Sequence, residues 1–347
     1  MIPQKKPLQI NKIFLLLLFG LVAFIVYFIL FVDPQSFVET ISQTNLAIYG
    51  STFLVFLVGI FFSSMVWHSL LNSLSVKMSV KNAYLFTWVG LFFDSTVPQL
   101  GLSGDLAKTY LFSKSSSEDA GKIGASVIGQ KIMVMTITVV TFSAGLILVL
   151  LNTALDIAAT FLIVTFLVLS AASLFLIYYL SIKPKATDAF LRFGIRVVLF
   201  FRKSWNPESF KHEASEVLSN FHSGISELKA KPKALVLPSV FAVLSWVFDI
   251  AVMFLVFIAL GYPVPVDTVL IVYTLMGALQ AVGVGYFTDF IMSASLSVLG
   301  IPPVLSVSVT LLTRAVTLWF RLIVSYGAFQ WTGIKLARQK DGGSLPN

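Results

Sequence analysis

The chain has 347 residues, 57% hydrophobic and only 12% charged, with a formal charge of +8 and no cysteine. An ordinary soluble domain carries about 25% charged residues, so the composition argues against a soluble fold, and the missing cysteines exclude a disulfide framework, a thiolate metal site and a cysteine nucleophile. The basic surplus sits in loops and tails flanking apolar blocks, where it reads as topology and not as a nucleic-acid surface.

In chain order, Lys5, Lys6 and Lys12 precede an apolar run at 13–32. That run is longer than a signal-peptide core and no small-residue cleavage site follows it, so it reads as an uncleaved first span. Further runs at 46–66, 124–151, 155–180, 234–260 and 304–332 reach the roughly 20 residues a helix needs to cross a bilayer. Two other regions are apolar at both ends and broken in the middle. Asp94, Pro98, Gly101, Gly104 and Asp105 interrupt 83–112, and Gly277, Gly283, Gly285 and Asp289 interrupt 268–299.

Lys and Arg collect on the cytoplasmic side of a membrane protein. The N-terminus, the loop with Lys77 and Lys81, the segment 181–233 and the tail with Lys335, Arg338 and Lys340 are therefore expected inside. The loops 33–45, 152–154 and 261–267 contain no Lys or Arg and are expected outside. Parity then requires 83–112 to enter and leave from the inside, and 268–299 to enter and leave from the outside. Each limb of about 15 residues gives ~22 Å of helix, short of the hydrocarbon thickness. The expected fold is an all-α polytopic membrane protein of six full spans and two oppositely oriented re-entrant helical hairpins; two short tilted spans in place of each hairpin give the same parity. The order has the organisation of an inverted repeat with halves 13–151 and 155–333 inside one transmembrane domain covering 1–347, the topology of transporters whose broken helices meet near the midplane.

The segment 181–233 is expected to be a cytoplasmic amphipathic helical loop. Arg192, Arg196 and Lys203 recur amid Phe, Val and Leu, as on a helix lying on an anionic membrane surface; an extension of the preceding span is the alternative. Asn206-Pro207-Glu208 is a helix start, and Val217, Leu218, Phe221, Ile225 and Leu228 mark one apolar stripe. His68, His212 and His222 are dispersed, so no metal site is expected, and no cofactor motif or nucleotide loop is present.

A charge inside a span costs at least about 2.5–3.5 kcal/mol on insertion scales, which makes it a functional candidate. Asp94, Asp105, Lys108, Lys131, Asp249, Asp289, Arg314 and Arg321 qualify. Asp105 and Lys108 share a helix face after the Gly101–Gly104 break, where free backbone N–H groups and a lysine suit a phosphate. A local Asp–Lys pair that fixes the hairpin is the plainer reading. Lys131 lies about two turns inside its span and is expected to face a polar cavity or to pair with Asp94 or Asp105. Arg314 and Arg321, seven apart, are expected on nearly one helix face. Arg314 lies in the outer half, where charge topology gives no reason for a cation, so it is the stronger candidate for an anionic group. Gly283, Gly285 and Asp289 are the outer counterpart of Gly101, Gly104 and Asp105, with Asp289 placed to neutralise Arg314. Asp249, beside Trp246, reads as a packing or a proton-coupling group.

The stretch Val97-Pro-Gln-Leu-Gly-Leu-Ser-Gly-Asp-Leu-Ala-Lys-Thr-Tyr-Leu-Phe112 resembles the signature of the lysylphosphatidylglycerol synthase transmembrane family, the flippase-like domain family. Gln130-Lys131 falls where that family often has Glu-Arg, and Gly283-Val-Gly-Tyr-Phe-Thr-Asp289, Leu299-Gly-Ile-Pro302 and Arg314 are similar to its later landmarks. The resemblance covers nearly the whole chain. It departs from the pattern at Lys108 and Lys131, which lack the planar fork of arginine, and at Gln130 and Asp289, where Glu is commoner. The resemblance implies a lipid-headgroup translocase of the cell membrane with an anionic membrane lipid as substrate; the charge distribution places both termini on the cytoplasmic side. The chain stops shortly after its last span, so no aminoacyl transferase activity is expected of it. Gly101, Gly104, Asp105, Lys108, Lys131, Gly283, Gly285, Asp289, Arg314 and Arg321 are the expected substrate-binding residues. Two other readings stay open: a membrane-embedded lipid-modifying enzyme, and a non-catalytic partner of a lipid synthase or glycosyltransferase. A homo-oligomer or a lipid-synthesis enzyme partner is compatible with these readings.

Overall fold

The computed structural model describes residues 32–96, 103–116, 118–152, 157–201, 208–281 and 287–340, together with Val22, Ile25, Val26, Ile29 and Leu30. Every regular element among them is helical. The expected first span, 13–32, lies largely outside the described residues; Val32, at its end, is buried against Val307.

In chain order the helices are α1 (Pro34–Ser42), α2 (Leu46–Ser73), α3 (Val80–Thr96), α4 (Ser103–Ser116), α5 (Ala120–Asn152), α6 (Ile157–Ile182), α7 (Pro184–Phe201), α8 (Glu208–Ala230), α9 (Val236–Ala259), α10 (Val266–Ala281), α11 (Thr288–Val298), α12 (Pro303–Arg314) and α13 (Arg321–Lys340). A 3₁₀ turn, Pro232–Leu235, leads into α9, and a π-helical segment, Ala315–Phe320, joins α12 to α13. Among the described residues, five stretches are long and apolar enough to cross a membrane: Leu46–Ser73, Ala120–Asn152, Ile157–Ile182, Pro232–Ala259 and Pro303–Gly333. They coincide with five of the six spans expected from hydropathy.

Local chemistry sets the helix ends. Asn45 caps α2, its Oδ1 accepting from the Ala47 and Ile48 N–H groups at 3.1 Å each. The short α1 lies in the loop 33–45 that the charge pattern places outside. It starts at an Asp-Pro pair, with the Asp33 carboxylate accepting from Ser36 N at 2.8 Å, the arrangement that favours a helix N-terminus. Helices α2, α9 and α11 each end in the same reversal, a 6→1 bond closed by a residue with positive φ. Val76 N donates to Leu71 O, Tyr262 N to Phe257 O and Ile301 N to Leu296 O, each at 3.0 Å. The residues with positive φ are Ser75, Gly261 and Gly300.

Cross-links between helix ends define the two poles of the bundle. At one pole, Lys231 Nζ donates to Ser73 O, Asn220 Nδ2 to Asp119 Oδ2, and a ring nitrogen of His222 lies 3.1 Å from Ser181 O. At the other, Asn45 N donates to Ala259 O and Asn152 Nδ2 to Asp267 Oδ2. The apolar core divides accordingly. Trp67, Leu70, Leu71, Phe86, Phe112, Ile123 and Ile225 bury one another near the first pole. A larger cluster that includes Phe142, Met253, Phe257, Leu275, Leu279 and Leu296 occupies the second.

Helices α3 and α4 pack on each other and return to the first pole, with the Phe86 and Phe112 rings 5.8 Å apart. Helices α10 and α11 also pack together, starting and ending at the second pole. At 17, 14, 16 and 11 residues, these four are about 25, 21, 24 and 16 Å long, all shorter than a bilayer core of about 30 Å.

The amphipathic loop is helical as its pattern suggests. On α7, Phe190, Phe193, Arg192 and Arg196 are exposed while Ile195 is buried; Lys203, Asn206 and Pro207 lie outside the described residues. The stripe on α8 packs against α5: Ile225 and Leu228 are buried with Ile123 and Ala125, while Val217 at its edge is half-exposed. Gly121 permits the close approach, since a side chain there would run into Asn220 and the backbone of Val217 and Phe221.

Candidate functional site

The break between α3 and α4 is held by one carboxylate. Asp94, at the end of α3, accepts from Gly104 N at 2.7 Å and from Ser103 Oγ at 3.1 Å. It therefore caps α4 from across the break and supplies the negative charge that a helix N-terminus favours. The two helices touch at glycines: a β-carbon on Gly104 would overlap the Gly90 carbonyl and the Asp94 carboxylate. Glycine at 104 thus serves close approach. Gly101, its expected companion, lies outside the described residues.

Asp105, the residue after Gly104, sits between two lysines. Its Oδ1 is 3.0 Å from Lys108 Nζ and its Oδ2 is 3.0 Å from Lys131 Nζ. The three side chains are 10–20% exposed, so little water screens them. Lys108 also donates to Gln130 Oε1 at 3.1 Å, and Gln130 Nε2 donates to Ser63 O at 2.9 Å. The Lys108 ammonium stands 5.2 Å from the Trp67 ring centre, a cation–π contact worth about 2 kcal/mol when desolvated. Trp67 is fully buried and fixed by a 3.0 Å bond from Nε1 to Ser126 Oγ. Hydropathy alone did not single out Trp67 and Ser63; a tryptophan deep in an apolar span was the available signal for the first. Two ammonium groups thus share one carboxylate, and this trio carries one positive charge in excess.

The second break gives a simpler pair. Arg314, closing α12, donates from Nε to Asp289 Oδ1 near the start of α11. Asp289 is 38% and Arg314 18% exposed at the side chain. Gly283 and Gly285 lie outside the described residues.

The two arginines of the last span flank a change of helix type. The π segment Ala315–Phe320 lies between them, and a π-bulge adds one residue to the turn, rotating the rest of the helix by about 100°. Arg314 meets Asp289, and Arg321 interacts electrostatically with Arg314 as well as with Asp94 and Asp249. Its Nε is buried and has no hydrogen-bond partner. Helix α13, which begins at Arg321, lies along α3, with Phe329 stacked on Phe92 at 4.8 Å. The third centre is Asp249, inside α9. Tyr273 of α10 bonds to its carboxylate and Gly59 of α2 backs it. No group of three or more His, Cys, Asp or Glu suited to a metal occurs among the described residues.

Three charged centres therefore lie within an apolar helical bundle, two of them at helix breaks. The donors at the first break (two ammonium groups beside a helix N-terminus) and the guanidinium at the second are groups that bind oxyanions.

Comparison with known proteins agrees with this architecture. The chain is 24% identical to the UPF0104 membrane protein MJ1595 of Methanocaldococcus jannaschii over 329 residues, covering 92% of this chain and 94% of that protein. It is 25% identical to the UPF0104 membrane protein PH1989 of Pyrococcus horikoshii, over 77% of this chain and 81% of that one. A UPF0104 membrane protein of Methanothermobacter thermautotrophicus is 22% identical over 79% and 82% of the two chains. No solved structure matches the chain. Residues 14–325 match the family described as lysylphosphatidylglycerol synthase TM region, and with nearly the whole of its apolar bundle inside that match the chain belongs to this family of membrane proteins.

Proposed function

We propose that this protein is a lipid flippase that carries a phosphate-bearing headgroup across the cell membrane, the acyl or isoprenoid tails remaining in lipid. The observation that carries the reading is the Lys108–Asp105–Lys131 trio, a surplus cation held at a helix break within an apolar bundle. Such a charge is costly in a purely structural role and is neutralised by a phosphodiester. In this reading α3–α4 and α10–α11 are re-entrant hairpins of opposite orientation, the halves 13–151 and 155–333 form an inverted repeat, and the basic pole is cytoplasmic, with both termini on that side. The headgroup is held by Lys108, Lys131 and Arg314, with Asp105 and Asp289 occupying those cations when the site is empty. Arg321 serves the same pathway within electrostatic reach of Arg314.

In sealed proteoliposomes, Arg314→Ala and Lys131→Met are each expected to abolish headgroup movement while leaving the amount of inserted protein unchanged. Normal transport by either variant contradicts the site.

A further inference from the structure

The corner between α6 and α7 lies apart from both helix breaks. Helix α6 ends at Ile182 and α7 begins at Pro184, and the Thr187 hydroxyl donates to Leu180 O at 2.6 Å. In a straight helix, residues seven apart are separated by about 10 Å along the axis, so α7 turns off the axis of α6 instead of extending it. A ring nitrogen of His222 on α8 lies 3.1 Å from Ser181 O and holds the same corner. The turn occurs where lipid headgroups begin. Tyr178 and Tyr179, near the end of α6, are half-exposed, as aromatic residues are at the water–lipid boundary of a span. Lys183 and Lys185 follow at once, both exposed.

The side chains of α7 sort into three stripes. At about 100° per residue, Lys185, Arg192 and Arg196 fall within about 40° of one another round the helix, and all three are exposed. Ile195, 6% exposed, marks the face that packs on the protein, where α7 meets α6 and α8. Phe190 and Phe193, 58% and 62% exposed, lie on the far side from Ile195. Asp188 is the single acidic residue of the helix. An apolar face open to water is unfavourable, and a cationic stripe beside it has no use for neutral lipid. Both are satisfied when the rings enter the boundary between acyl chains and headgroups while the long basic side chains reach the phosphates.

We propose that α7 is a membrane-surface helix: it seats Phe190 and Phe193 in the leaflet at the first pole and gathers anionic lipid headgroups there with Lys185, Arg192 and Arg196. This contact is separate from the headgroup site at the helix breaks and holds whether or not the protein moves a lipid.

The test is quenching by lipid-borne nitroxide. The chain has no cysteine, so Ala189→Cys gives one attachment point for a bimane fluorophore. Ala189 is exposed and precedes Phe193 by four residues, hence shares its face. The labelled full-length protein is placed in phosphatidylcholine nanodiscs containing a varied fraction of either phosphatidylglycerol or phosphatidylcholine that carries a nitroxide high on the acyl chain. Both lipids are expected to quench, and phosphatidylglycerol is expected to reach half its effect at about a fivefold lower mole fraction, the enrichment that one surface cation supports. The combined Lys185→Gln, Arg192→Gln and Arg196→Gln variant, altered only at exposed positions, is expected to remain quenched and to lose the difference between the lipids. No quenching by either lipid overturns the seating of α7 in the membrane. Equal quenching of the parent protein by both lipids, or a preference that survives in the triple variant, overturns the anionic-lipid contact.

Discussion

Gly59 and Asp249 meet across a close contact between helices α2 and α9: a β-carbon added at Gly59 would lie 2.9 Å from the Asp249 Oδ1 and 3.3 Å from the Phe248 β-carbon. Ser245, one turn before Asp249, donates to the Gly59 carbonyl at 3.1 Å. Helices α2 and α9 therefore lie against each other at the point where a carboxylate is buried. Gly59→Ala must displace either the helix pair or the carboxylate. It is expected to destabilise the protein by about 1–3 kcal/mol, the usual cost of overpacking, seen as a lower thermal midpoint in detergent.

The break between α3 and α4 is more demanding. Gly104→Ala would place a methyl group in the Gly90 carbonyl and the Asp94 carboxylate, and the cap from Asp94 to Gly104 N would open. A loss of at least about 2 kcal/mol is expected, from the overlap and the lost cap together. Accessibility of a cysteine introduced at Ser95, compared with and without Gly104→Ala, checks whether the hairpin has opened.

Asp105→Asn removes the carboxylate that two lysines share. Removing one partner of a buried ion pair costs about 3–5 kcal/mol, and the partial exposure here places the expected loss near the lower bound. Phosphatidylglycerol should restore the thermal midpoint of this variant more than phosphatidylcholine does. Equal rescue by the two lipids would show that the trio does not accept a phosphodiester.

Asp289→Asn acts in the other direction. Asp289 holds Arg314 by a charge-assisted bond, so an incoming phosphate must displace it. With that competitor neutral, the affinity for short-chain phosphatidylglycerol is expected to rise about tenfold, equivalent to 1.4 kcal/mol. Isothermal titration with the two proteins measures the change.

Much of this arrangement was legible in the sequence because bilayer crossing imposes length and composition directly. Five of the spans appear as helices within a few residues of their apolar runs, and the breaks appear where Asp94, Gly104 and Asp289 interrupt apolar sequence. The ion pairs of Lys131 with Asp105 and of Arg314 with Asp289 arise from the same logic, since an intramembrane charge seeks its opposite. The π segment was not legible. A seven-residue spacing fixes a helix face only if every turn holds 3.6 residues, and Ala315–Phe320 contains no glycine or proline to mark a change of helix type. The partners Trp67, Ser63 and Tyr273 were likewise hidden, because contacts between distant helices depend on rotation about each axis, which hydropathy does not encode. Helix α1 was not foreseen although its Asp-Pro start was visible, because a short polar stretch between spans reads first as a loop.

The most direct measurement is headgroup translocation by the wild-type protein in sealed proteoliposomes holding fluorescent phosphatidylglycerol, its aminoacyl form or a polyprenyl phosphate. An impermeant quencher added outside reaches only the outer-leaflet probe, about half of it in a symmetric vesicle. The flippase reading predicts that quenching with at least one of the three passes well beyond that half, and that Arg314→Ala stops it there. Quenching that halts at the outer leaflet with all three lipids would contradict it.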